Sequence, residues 1–117
     1  MRDYKDLKER YLQDDISTRL GNLALNLARI KSRCQNVANG KLVADLLQES
    51  KLFIEWTAQD TEIEIAAELV ELQIQLAYWQ YDWTKIWADP EQRRIVSEQS
   101  RIWSEKVLQM SGLLIVN

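Results

Sequence analysis

Apolar residues recur along most of the chain at alternating steps of four and three, the spacing typical of amphipathic helices. The first such row begins after Asp14 and Asp15, either of which can cap the exposed amides of a helix. We expect this row to be a core seam, and its members are Ile16, Leu20, Leu23, Leu27, Ile30, Cys34 and Val37. Asn39 and Gly40 then predict a break, because both residues favour helix ends.

The second helix is predicted over residues 41–56, with Leu52 and Trp56 beside its main apolar face. The connection to the third helix is short, so these two helices should be antiparallel neighbours. Small residues beside the seam of the first helix would let a neighbouring helix approach closely; they are Ser17, Gly21, Ala24 and Ala28.

The third helix is predicted to begin near Thr61, which forms a capping-box pattern with Glu64. Nothing interrupts the helical pattern before Asp89 and Pro90, so we expect one helix of about 28 residues, or about 42 Å. Asp89 is then the cap and Pro90 the first residue of a fourth helix. That helix is predicted to stop at Gly112, and an apolar tail, GLLIVN, follows it.

Two apolar stripes follow the third helix. The first lies within an arc of about 80° on a helical wheel and contains Ile65, Leu69, Leu72, Leu76, Trp79, Trp83 and Trp87. The second lies about 150° away and contains Ile63, Ala67, Val70, Ile74, Ala77, Tyr81 and Ala88. A helix in a simple monomeric bundle needs one stripe. Either this helix is sandwiched within its own domain or one stripe meets another chain, and the sequence leaves open which stripe faces the core.

The unequal lengths of the second and third helices predict where another chain would bind. A helix of about 16 residues leaves about 12 residues of its longer neighbour uncovered, and the tryptophans lie at that end. We therefore expect a homodimer in which at least one of Tyr81, Trp83 and Trp87 is buried by the second copy. The full set of candidate interface or ligand-contact residues is Trp79, Tyr81, Trp83, Trp87, Trp56 and Leu52.

Composition restricts the setting of the protein. The chain has 117 residues, three glycines and one proline, which fits a single helical domain. The lone cysteine, Cys34, excludes an internal disulfide and suits a reducing cytoplasm. The N-terminus lacks the apolar run of a signal peptide, and no apolar run is long enough to span a bilayer. A net charge of −3 with one short basic run, Arg29 to Arg33, predicts no nucleic-acid partner.

Several kinds of chemistry lack the residues they need. The chain has no histidine, which excludes histidine-based nucleophile pairs and histidine metal sites. Glu64, Glu68 and Glu71 share one helix face, but a solvated acidic face explains them better than a metal site. No phosphate-binding loop or nucleotide fingerprint is present. We therefore expect no metal, no cofactor and no catalytic residues.

Three segments, TRLGNLALNLARIKS, ESKLFIEWTA and ELVELQIQLAYWQ, resemble a family of small uncharacterised cyanobacterial all-helical proteins. Together they cover about a third of the chain. The resemblance implies a bacterial cytoplasmic setting and brings no activity and no site residues.

These observations predict an all-α fold, an antiparallel four-helix bundle that forms one domain over residues 1–117. Residues 1–13 form a candidate N-terminal arm, in which segment 4–12 can add a short helix. The predicted function is that of a non-catalytic helical interaction protein that self-associates through apolar helix faces. The alternative is a binder of an aromatic or pigment-like small molecule in a tryptophan-lined pocket.

Overall fold

Residues 3–113 are described by the computed structural model, and every regular element within them is helical. The all-α antiparallel four-helix bundle predicted from the sequence is confirmed, and the short N-terminal helix is present. The elements are α1 (Lys5–Gln13), α2 (Ile16–Arg33), a 3-10 turn (Val37–Asn39), α3 (Gly40–Ala58), α4 (Ile63–Tyr81), α5 (Trp83–Ala88) and α6 (Pro90–Ser111). The four long helices are α2, α3, α4 and α6. Of the predicted apolar tail, residues 114–117 lie outside the described residues.

Three helix ends follow directly from the sequence. The Asp15 side chain caps α2 by accepting a hydrogen bond of 2.8 Å from the Thr18 amide. Asp89 caps α6 in the same way, and Pro90 is the first helical residue, where its missing amide proton costs nothing. Gly112 ends α6 in the left-handed conformation, with φ of 74°. The predicted caps at these positions are therefore confirmed.

The predicted break at Asn39 and Gly40 is confirmed, whereas the predicted capping box is wrong. Helix α2 ends at Arg33, Asn36 accepts from the Ala38 amide in the turn that follows, and Gly40 is the first residue of α3, with an ordinary helical φ of −54°. Thr61 does not form a capping box with Glu64. Its hydroxyl donates instead to the Ala58 carbonyl, at 2.8 Å, and so closes the last turn of α3. The capping signal at Thr61 is therefore overridden by this contact with the end of α3.

The prediction of a single third helix of about 28 residues is also wrong. The chain leaves helical geometry at Asp82, where φ is −121° and ψ is 33°, and this separates α4 from α5. Helices α3 and α4 each have 19 residues, so the uncovered end predicted from unequal lengths does not exist. The break at Asp82 redirects α5, and Trp83 and Trp87 of α5 then reach the start of α3.

Helix α2 lies at the centre of the bundle, between α3 and α6, while α4 packs mainly against α3. The seam predicted for the first helix is buried at Leu20, Leu23, Leu27, Ile30 and Cys34. Val37, which continues the same spacing, is exposed because it lies in the turn beyond the end of α2. Burial raises the pKa of the Cys34 thiol to about 11, so the thiol is protonated near neutral pH.

Helices α2 and α6 approach closely along the row of small residues predicted from the sequence. The hydroxyl of Ser104 donates to the Ala24 carbonyl at 2.8 Å, and that of Ser97 donates to the Lys31 carbonyl at 3.0 Å. Serine side chains reach backbone carbonyls of another helix only when the two helices are close together. The two serines therefore hold α2 and α6 together, while the small residues Gly21, Ala24 and Ala28 line a cavity between the two helices.

Candidate protein-interaction surface

Helix α4 has one buried face and one exposed apolar face. The buried face carries Leu69, Leu72, Leu76 and Trp79, so the first of the two sequence stripes faces the core. The second stripe points away from it. We define the outer face of α4 as Ile63, Ala67, Val70, Ile74, Ala77, Tyr78 and Tyr81. Its large side chains are exposed to 79% at Ile63, 45% at Val70, 65% at Ile74, 68% at Tyr78 and 92% at Tyr81.

The outer face is exposed because α4 lies at the edge of the bundle. Helix α3 packs against one flank, and at the other flank the Nζ of Lys106 in α6 lies 3.3 Å from Glu68 Oε2. The large side chains of the outer face together expose roughly 600–800 Å². Part of this area belongs to tyrosine hydroxyls and backbone atoms, and the largest apolar patch on a typical monomer covers about 300–600 Å², so the outer face is comparable with the largest such patches.

Polar contacts with α3 fix the orientation of α4. Gln80 donates to Gln48 Oε1 at 2.9 Å and accepts from Lys51 Nζ at 2.8 Å. Gln73 donates to the Lys51 carbonyl at 3.4 Å. These bonds run along the flank beside α3, so α4 cannot turn its outer face inward without breaking them. The opposite flank carries exposed acids, including Glu64 and Glu71.

The tryptophans of α5 are held by the chain itself. Trp83 Nε1 donates to the Gly40 carbonyl at 3.1 Å, and Trp87 Nε1 donates to the Val37 carbonyl at 2.8 Å. The two rings lie 5.2 Å apart, and the Arg93 guanidinium lies 5.6 Å from the centre of the Trp87 ring. Both indoles are half-buried and their donors are used. They join α5 to the start of α3 and do not form an open aromatic platform.

The other sequence candidates occupy different places. Trp79 and Trp56 are buried in the core of the chain, and Leu52 is half-buried against it. Tyr81, by contrast, is almost fully exposed at the end of α4. The structure therefore does not bring the six candidates together. Among them, Tyr81 alone lies on the outer face.

Sequence reasoning missed two residues that matter. Tyr78 belongs to neither of the two sequence stripes, but its ring lies on the outer face. Tyr11 was left in the N-terminal arm, although its ring stacks on Phe53 at 4.2 Å and lies 5.7 Å from Trp56. The step of four from Leu7 to Tyr11 was the available signal, since it places both residues on one helix face.

Tyr11 anchors α1 with its hydroxyl as well as its ring. The hydroxyl lies 2.7 Å from Thr57 Oγ1 and 3.1 Å from the Arg19 carbonyl. Desolvation by burial, opposed by the hydrogen bond with Thr57, raises the pKa of Tyr11 to about 12. Helix α1 thereby covers Trp56, which explains why that tryptophan is not at the surface.

The raised pKa of Tyr11 predicts a loss of stability in alkali. The folded state holds this proton up to about pH 12, whereas an unfolded tyrosine releases it near pH 10. The contribution is complete below pH 10 and is lost as the pH rises through 12, up to about 2–3 kcal/mol. In denaturation between pH 8 and 12, the stability difference between wild type and Tyr11→Phe should be constant up to about pH 10 and shrink above it. A difference that stays constant to pH 12 would contradict the burial of this hydroxyl.

Gly40→Ala tests the junction between α5 and α3. A methyl group at residue 40 would lie 2.7 Å from Trp87 Nε1 and 2.9 Å from its Cδ1. The ring must then move away from the Val37 carbonyl. We expect the free energy of unfolding to fall by about 1–2 kcal/mol, although alanine is the better helix former. Lys41→Ala, at the exposed neighbouring position, is the matched control and should change little. A Gly40→Ala protein as stable as wild type would show that Trp87 does not pack there.

The described residues lack a candidate metal cluster and a membrane-spanning helix. None of their acids and thiols form a group of three that could hold a metal ion. No helix over residues 3–113 is long and apolar enough to cross a membrane. A cavity of about 430 Å³ lies between α2 and α6, lined mainly by apolar atoms from residues that include Gly21, Leu25 and Leu108.

No family model matches the chain, and neither a curated protein nor a solved structure matches it.

Proposed function

We propose that this protein is a non-catalytic helical interaction module that self-associates through the outer face of α4. The observation that carries the proposal is the exposure of an unbroken apolar stripe along a whole helix whose opposite side is buried. Leaving Ile63, Ile74 and Tyr81 in water forgoes about 1.5–3 kcal/mol for each side chain, relative to burying it. A second copy that covers the stripe recovers this free energy.

The size of the stripe fits an interface between two proteins. An interface of standard size buries about 800 Å² on each partner. The large residues of the outer face expose a comparable area before any contribution from the surrounding polar atoms. Two tyrosines, Tyr78 and Tyr81, belong to the residue types enriched in interfaces. Both area and composition therefore support a protein partner.

The charges around the stripe argue against a membrane surface. A helix that lies on anionic lipid carries lysine and arginine beside its apolar face. The exposed residues that flank this stripe include Glu62, Glu64, Glu71 and Asp82. These acids would be repelled by anionic lipid, whereas they can remain in solvent at the rim of a protein interface.

Sedimentation equilibrium of the wild-type protein tests the proposal. We expect twice the chain mass of 13.8 kDa at micromolar concentration and a return to the chain mass on dilution. We therefore still expect the homodimer predicted from the sequence. We now place its interface on the outer face of α4 instead of the tryptophans of α5, and Tyr81 belongs to both. A protein that stays monomeric up to the highest soluble concentration would refute self-association.

A small-molecule binder is the second candidate function, favoured by the cavity between α2 and α6. Its volume of about 430 Å³ lies within the range for ligand pockets, and its lining is mostly apolar. It differs from the predicted tryptophan-lined pocket, because no tryptophan lines it. Native mass spectrometry of protein purified without denaturation tests this candidate: a bound molecule gives a mass above that of the chain, and the bare chain mass counts against it.

We also infer a reducing cytoplasmic location. The single Cys34 is buried and free, so nothing in the described fold depends on oxidation. A protein that folds equally well with and without thiol reductant supports this location. A folded state that requires an intermolecular disulfide through Cys34 would argue against it.

A further inference from the structure

We infer that two copies of α4 pair antiparallel about a two-fold axis level with Leu72, an inference that rests on the self-association proposed above. The stripe has coiled-coil spacing, with steps of four and three through Ile63, Ala67, Val70, Ile74, Ala77 and Tyr81. These positions are symmetric about residue 72. Val70 and Ile74 lie two residues to either side, and Ile63 and Tyr81 lie nine residues to either side.

Antiparallel pairing about this axis gives layers of complementary size. Ile63 meets the partner's Tyr81, and Val70 meets the partner's Ile74. Ala67 lies five residues before the axis and Ala77 five after it, so Ala67 meets the partner's Ala77. These small layers occur once on each side of the axis, which lets the helix backbones approach evenly along their length. A two-fold axis makes both halves of the contact identical.

Parallel pairing of the same stripe would be less favourable. It would set Tyr81 against the partner's Tyr81 at one end and Ile63 against the partner's Ile63 at the other. It would also bring together both N-terminal ends, where Glu62 and Glu64 are exposed. Antiparallel pairing separates these acids and places the helix dipoles in opposite directions.

Antiparallel pairing also places the flank that carries Glu64, Glu71 and Tyr78 beside the same flank of the partner. In the antiparallel pair, Glu64 lies beside the partner's Tyr78, whose hydroxyl can donate to the carboxylate. Glu71 lies beside the partner's Glu71, close to the axis, so two like charges face each other. In the parallel pair, the residue opposite Glu71 is the partner's Ala66, and no such repulsion exists.

Disulfide cross-linking distinguishes the two arrangements. We would make Ile63→Cys and Tyr81→Cys separately in a Cys34→Ala background and oxidise each alone and as an equimolar mixture. In the antiparallel pair, the two copies of residue 63 are about 27 Å apart, far beyond the reach of a disulfide. The mixture should therefore form a covalent dimer, and neither variant alone should do so. Efficient cross-linking within each single variant would overturn the antiparallel register.

Glu71→Gln tests the antiparallel register while every residue of the apolar stripe is kept. It therefore gives a result even if the cysteine variants fail to associate. Removal of the like-charge pair should tighten association about two-fold. Glu55→Gln, at an exposed position on α3, is the control and should leave association unchanged. An unchanged constant for Glu71→Gln would overturn the antiparallel register. A wild type that is monomeric throughout would overturn the proposed function and this pairing together, whereas a dimer with the wrong cross-links would overturn the pairing alone.

Discussion

Replacing Ile74 by glutamate is expected to make the protein monomeric while its helices stay folded. Ile74 lies near the centre of the outer face of α4, and most of its side chain is exposed in the single chain. A carboxylate there is solvated in the monomer but would be buried without a partner charge in the dimer. Each dimer would bury two such charges, at a cost of about 3 kcal/mol or more, which weakens association more than 100-fold.

The control for this substitution is Val37→Glu. Val37 is 62% exposed in the turn before α3, away from α4. The control therefore introduces the same charge at an apolar surface residue that the proposed dimer does not bury. Circular dichroism should show the same helix content for both variants. In sedimentation, only Ile74→Glu should lose the dimer. If the two variants associate equally, the outer face of α4 is not the interface.

Tyr11→Ala is expected to lower the free energy of unfolding by about 3–5 kcal/mol, the range for removing a buried aromatic ring. The ring stacks on Phe53, and its removal uncovers Trp56. It also leaves Thr57 Oγ1 without its short hydrogen bond. Denaturation at fixed chain concentration measures the effect, since association would otherwise add to the stability.

Tyr11→Phe separates the contribution of the ring from that of the hydroxyl. It keeps the stacking on Phe53 and removes one buried hydrogen-bonding group, so we expect a loss of about 1–2 kcal/mol. If both Tyr11→Ala and Tyr11→Phe unfold at the same denaturant concentration as wild type, α1 does not pack on α3 in solution. In that case α1 would not cover Trp56, and Trp56 would again be a candidate interface residue.

Features set by neighbouring residues could be predicted from the sequence. The caps at Asp15 and Asp89 need only a side chain and an amide a few residues away. Asp89 was predicted at its position, and Asp15 was one of two predicted candidates. The stripes of α4 also follow from periodicity alone. The helical wheel places Leu72 on the first stripe and Ile74 on the second. In the structure Leu72 is buried in the core and Ile74 is exposed at the surface.

Features that depend on distant contacts could not be predicted in this way. No glycine or proline lies beside Asp82 to predict the break. It accompanies hydrogen bonds from Trp83 and Trp87 to carbonyls 43 and 50 residues away in the sequence. The close packing at Gly40 could not be predicted for the same reason, because the Trp87 ring that lies where a Cβ atom would be comes from a distant part of the chain.

Concentration-dependent footprinting of Tyr78 and Tyr81 reports directly on whether a second copy covers the outer face of α4. Hydroxyl radicals oxidise exposed tyrosine rings, and both residues are largely exposed in the single chain. We expect oxidation of both rings to slow as the protein is concentrated from monomer to dimer, while oxidation of Val37 does not change. Rings that stay equally reactive in a sedimenting dimer would show that the second copy binds elsewhere, and would contradict the proposed role of the outer face of α4.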